Sequence, residues 1–152
     1  MAEQKIPARS EVPVEHTWRL EDIFPDDEAW LKEYEELQKV PEEITAFCGH
    51  LGENAETLLR FYQRSDELSI RLSKLMGYAS QKADQDTATS FYVDMRGKAG
   101  RLCVSSAGAA AFATAVLIAI PDEVIDRFYA VEPALETYRG PVYAARRMKA
   151  HV

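Results

Sequence analysis

Apolar positions change their spacing several times along the chain, and each change marks an element. Before residue 26 there is no helical period: Pro7, Pro13 and Pro25 interrupt it, while Val12 and Val14 alternate with their neighbours. Residues 1–25 therefore read as an extended arm, with Trp18, Leu20, Ile23 and Phe24 pinning it to helices behind. From Asp26 the spacing becomes helical. Trp30, Leu31, Tyr34 and Leu37 share a face, and Asp26, Asp27 and Glu28 sit at the positive end. Pro41 with Glu42 and Glu43 opens a short second helix, which Gly49 is placed to end.

The longest period follows a capping Asn54. Leu58, Phe61, Ser65, Leu68, Leu72, Leu75 and Ala79 step by threes and fours, a heptad-type seam. Asp84-Gln85-Asp86 breaks the pattern, and Asp86 is placed to cap the next helix. There Tyr92, Met95, Ala99, Leu102, Ser106, Ala109, Ala113 and Val116 repeat the same steps. The second seam shrinks toward its end, and small residues let helix axes approach, so the pair predicts an antiparallel hairpin. Pro121 with Asp122 and Glu123 opens a further helix carrying Val124, Ile125, Phe128 and Tyr129, and Pro133 and Pro141 mark later boundaries.

No strand pattern occurs beyond the arm. The expected class is all-α: an extended arm over 1–25 and one helical domain over 26–152, built on a long antiparallel hairpin. The final stretch Arg146-Arg147-Met148-Lys149-Ala150-His151-Val152 has no Gly or Pro terminator, so the chain reads as a piece of a longer protein.

Composition narrows the partners. The net charge of -7 argues against nucleic acid, whose binding requires cationic neutralisation of phosphates. That charge is uneven: residues 1–50 hold 13 acidic and 5 basic side chains, the remainder 12 and 13. The acidic start and the basic end (Arg146, Arg147, Lys149) could pair within the fold, or one could face a partner. The apolar run Ala107 to Ile120 falls short of the ~20 residues a membrane span needs and predicts a buried helix. The N-terminus lacks the apolar core of a secretion signal. Cys48 and Cys103 predict two buried, reduced thiols in a cytoplasmic protein rather than a disulfide framework or zinc knuckle.

Candidate chemistry is sparse. His16, His50 and His151 have no ligand partners at zinc spacing, and His-Glu-x-x-His is absent. Asp84-x-Asp86 opens like a calcium loop, but Thr89 stands where Gly is needed and no Glu follows at the twelfth position. Ser105-Ser106-Ala107-Gly108 is not a nucleophile elbow, and Gly97 and Gly100 are too sparse for a phosphate loop. No catalytic, cofactor-binding or metal-ligating residue is assigned, and the chain alone is expected to be inactive.

Four blocks, in order, carry a family resemblance. Arg9-Ser10-Glu11-Val12-Pro13 precedes Thr17-Trp18-Arg19-Leu20-Glu21-Asp22-Ile23-Phe24-Pro25. Leu72-Ser73-Lys74-Leu75-Met76-Gly77-Tyr78-Ala79 leads to Asp84-Gln85-Asp86-Thr87. Leu135-Glu136-Thr137-Tyr138-Arg139 and Arg146 to Val152 complete the set. Together they resemble the N-terminal part of oligoendopeptidase F, a group of cytosolic, thimet-oligopeptidase-like zinc metallopeptidases. One departure is local: where that family shows Pro-Glu after Phe112, this chain has Ala115-Val116-Leu117, which would fuse two helices.

The resemblance implies the helical substrate-channel or lid domain of a peptidase that hydrolyses short peptides, with zinc held in a catalytic domain absent from this chain. The expected partners are that C-terminal domain or a second copy, through helix faces left exposed at Val116, Leu117, Ile118 and Ile120. Neither nucleic acid nor membrane is expected. The alternative is a free-standing interaction module that docks through the hairpin 54–119, or the remnant of a truncated gene.

Overall fold

The computed structural model describes residue 7 and residues 9–148. Among them the only regular elements are helical, so the class is all-α. Seven α-helices follow three single-turn 3-10 helices: α1 Asp27–Leu37, α2 Val40–Thr45, α3 Ala55–Gln85, α4 Ser90–Ala110, α5 Phe112–Ala119, α6 Asp122–Val131 and α7 Arg139–Arg147. A further 3-10 helix, Pro133–Tyr138, joins α6 to α7.

Local chemistry sets most of the boundaries. The Asp26 carboxylate accepts the Ala29 N–H at 2.7 Å and caps α1. The Asn54 side chain accepts the Thr57 N–H at 2.8 Å and caps α3. Between α2 and α3 the chain reverses through Gly49, whose φ of 87° lies in the left-handed region that favours glycine. Asp86 does not cap α4. Its carboxylate accepts the Ala88 N–H at 2.9 Å and the Thr89 hydroxyl at 2.7 Å, shaping the turn, and the helix starts only at Ser90.

The arm is not a continuous extended segment. Its described residues form turns at Arg9–Glu11, Val14–His16 and Leu20–Asp22. Prolines keep each run short, and the Thr17 hydroxyl closes the second turn by donating to the Val14 carbonyl at 2.7 Å. Leu20 is the buried anchor, and Ile23 and Phe24 pack on the core. Trp18, at 84% exposed, pins nothing.

α3 is the spine. Leu58, Phe61, Leu68, Leu75, Tyr78 and Ala79 are buried along it, and α4 packs beside it with Met95, Ala99, Leu102 and Ser106 inward. Phe61, early in α3, meets Phe112 just beyond α4, while Lys82 near the end of α3 lies over Tyr92 at the start of α4. α4 and α5 are separated by Ala111 alone, whose backbone is itself in the right-handed helical region. α1 crosses α3, with Trp30 buried and stacked on Tyr34.

Part of the acidic start of the chain is paired inside the fold. Glu33 and Glu36 receive Arg71 at 2.7 and 3.0 Å, Glu43 pairs with Arg64, and Asp27 faces Lys82 at 4.0 Å. At the other end Arg146 turns inward, donating to the Leu117 and Ile120 carbonyls at 2.6 and 2.7 Å and pairing with Asp122. This return of α7 covers α5. Leu117 and Ile120 are consequently 2% and 7% exposed, which corrects the expectation that they face outward; Val116 and Ile118 are half-buried.

Candidate functional site

The titratable residues singled out in the sequence do not converge. His16 is exposed, and His50 meets Glu53 at 2.7 Å on the surface. His151 lies outside the described residues. Asp84 is held by Arg96 at 2.9 Å, and the Thr89 hydroxyl followed by the Ala88 N–H keeps the Asp86 carboxyl below its usual range. No group of three or more His, Cys, Asp or Glu able to hold a metal occurs among the described residues. The two thiols are separate and free. Cys48 is exposed on the turn after α2, against the expectation of burial, while Cys103 is half-buried and its thiol is pushed up by desolvation.

One polar cluster is well built but structural. The hydroxyls of Tyr78 and Tyr92 both donate to the Asp27 carboxylate, at 2.8 and 3.1 Å, with the Lys82 ammonium over both rings. Burial, then the hydrogen bond to Asp27, raises the Tyr78 phenol well above its ordinary value. The cluster ties the first turn of α1 to α3 and α4, and its four members come from positions up to 65 apart.

Two surfaces remain that the packing does not explain. The first is a groove of about 570 Å³ between α3 and α4, closed at one end by Val40 and Ile44. Leu68, Leu72 and Met76 give it apolar walls, and Ser65, Ser69 and Ser73 recur every four residues along one side. Cys103, Ser106, Ala107 and Ala110 form the other side, and no charged side chain lines it. The Ser65 hydroxyl is buried there without a hydrogen-bond partner. Such a lining offers apolar contact with a few adaptable hydroxyls and suits a neutral, extended ligand.

The second surface is on the far side of α4 and α5. Val93, Gly97, Gly100, Val104, Ala107, Ala111, Thr114 and Ile118 step by four and three, a second heptad seam. It points away from the body: Val93 and Val104 are 41% and 74% exposed. Ser90–Ala119 is long and apolar enough to cross a membrane by composition, yet only 22% of its most apolar 18-residue window is buried. Sequence reading singled out the inner seam alone. The outer one carries the same 4-3 spacing and no charge, but small side chains make it faint.

No protein-family profile matches the chain. Over its whole length the chain is 35% identical to the oligopeptidase PepF of Bacillus subtilis (strain 168), of which it covers 23%. It is 31% identical, over 86% of the chain and 22% of the relative, to the group B oligopeptidase PepB of Streptococcus agalactiae serotype III (strain NEM316). A 39% identity links 68% of the chain to 17% of the chromosomal oligoendopeptidase F of Lactococcus lactis subsp. cremoris. The fold matches a crystal structure of a protein described as a peptidase from Chlamydophila abortus, with a TM-score of 0.85 at 20% identity, over 97% of this chain and 25% of that one. The chain thus spans about a quarter of the length of the relatives it matches, in their N-terminal part.

Proposed function

We propose, from a chain that resembles the N-terminal part of the oligoendopeptidase F peptidases over its full length, that it serves as the substrate-channel or lid domain of such an enzyme. The whole-length similarity to a named oligopeptidase is the observation that carries this reading. The described residues offer no zinc site, and the sequence holds no His-Glu-x-x-His, so no step of peptide hydrolysis is assigned to this chain. Zinc, if the enzyme uses it, would polarise the scissile carbonyl and activate water on residues outside these 152.

Within this reading the α3–α4 groove is the wall presented to substrate. Its apolar walls and the exposed Ser69 and Ser73 would contact a short peptide without selecting for charge. A cytoplasmic location belongs to the same proposal.

The test is a hybrid protein in which this chain replaces the matching N-terminal segment of Bacillus subtilis PepF, assayed against short peptides. A folded hybrid that cleaves them supports the reading; a folded but inactive one overturns it. A second reading, a self-associating helical module, is favoured by the exposed outer seam of α4 and α5. Light scattering over a concentration series decides it: a growing mass supports association, a constant monomer mass removes it.

A further inference from the structure

The outer seam has properties that this chain's own packing does not require. Gly100, in the seam, and Gly108, beside it, sit inside α4, where glycine weakens a helix relative to alanine. A Cβ built at either would meet nothing within 4 Å. Open space at a helix-interior glycine is explained if another backbone comes close there. The 4-3 spacing of the seam selects a helix as the visitor, because small residues at such positions let two helix axes approach.

The surroundings narrow the visitor further. A lipid bilayer fits poorly, since the same helix carries Asp94, Arg96, Lys98 and Arg101 in its first three turns. Arg101 is exposed at the edge of the seam with no ion pair among the described residues, whereas Asp94 already holds Lys98 at 2.8 Å and Arg96 holds Asp84. An acidic side chain on the visitor would face Arg101. The source follows from length. The matching relatives are about four times as long, and the same fold occupies only 25% of a longer crystallised chain.

We propose that the outer seam of α4 and α5 is the docking face for an apolar helix from the remaining three quarters of an oligoendopeptidase F polypeptide, with an acidic residue opposite Arg101. This rests on the domain reading above and adds the contact by which the domain is held. It lies around α4 from the α3–α4 groove and shares only the rim residue Ala107 with it, so the seam binds the enzyme's own body while the groove stays open.

The experiment is chemical protection at position 104. Val104→Cys is made in the isolated chain and in the hybrid with Bacillus subtilis PepF, and maleimide labelling at that site is followed by peptide mass spectrometry. Labelling at least tenfold slower in the hybrid than in the dilute isolated chain is the expected result. Equally fast labelling in a hybrid that cleaves peptides overturns the seam and leaves the domain reading standing. Protection in a folded hybrid that cleaves nothing supports the seam and overturns the assigned role. If labelling of the isolated chain slows as its concentration rises, the visitor is a second copy and the proposal fails. Gly100→Leu gives an independent readout: it should leave the isolated chain folded and lower the melting temperature of the hybrid, and an unchanged hybrid counts against the seam.

Discussion

The Trp30 indole N–H donates to the main-chain carbonyl of Leu75 at 2.8 Å, joining α1 to the middle of α3 across 45 positions of sequence. Both residues are fully buried, and the indole also stacks on Tyr34. Truncation removes a large packed volume as well as the hydrogen bond. Trp30→Ala should destabilise by about 3–5 kcal/mol, and Trp30→Phe by less. Urea denaturation followed by circular dichroism measures both; a loss under 1 kcal/mol for the alanine variant would show that α1 is not held by this contact.

Gly100 and Gly108 offer the opposite sign. With open space around each Cβ, alanine at either position should stabilise the isolated chain by about 1 kcal/mol. For a chain of this size that corresponds to a rise of about 2–4 °C in melting temperature. A fall on thermal denaturation would reveal contacts at these glycines within the chain itself.

Arg146 fastens the return of α7. Its guanidinium serves the Leu117 and Ile120 carbonyls and Asp122, and its side chain is 12% exposed. Arg146→Met keeps much of the stem but leaves two carbonyls without this donor, at a cost of about 2 kcal/mol. Hydrogen exchange should quicken in α5 and α7 before it does in α3.

Acid should loosen the α1–α3 contact. The Arg71 hydrogen bond holds the Glu33 carboxyl below its ordinary value of 4.5, more than its partial burial raises it. A carboxylate with a lowered folded pKa contributes stability that is fully present above 4.5 and is lost as pH falls through the folded value. Stability measured down this range should fall less steeply in Glu33→Gln than in the unaltered chain.

The two thiols should separate kinetically. Cys48 is exposed, whereas Cys103 is half-buried in the groove with its thiol pushed up, so less of it is thiolate. Iodoacetamide at mildly alkaline pH should modify Cys48 first, and peptide mapping at timed intervals gives the order.

The helices were legible where side chains were bulky and regularly spaced. Trp30 and Leu37, or Leu68 and Leu75, announce both the element and its buried face. Single capping residues such as Asp26 and Asn54 fixed their helix starts. Contacts between distant segments left no such trace. Nothing near Asp27 signals Tyr78 and Tyr92, and the burial of Leu117 depends on Arg146, 29 positions later. The outer seam was hidden for a different reason: glycine and alanine carry the right spacing with too little side chain to register as a hydrophobic face. Trp18 misled in the other direction, a large apolar residue that the chain leaves in solvent.

α3 runs 31 residues, about 46 Å, and α1, α2, α4, α6 and the Pro133–Tyr138 turn all lie against it. Loss of α3 would therefore strip the packed face from every one of these elements. Amide protons in the centre of that helix should exchange only when the entire chain opens, so their exchange rate becomes a direct gauge of global unfolding. A ligand or neighbouring segment that grips any one of the attached helices would be felt at that gauge, wherever on the surface it binds.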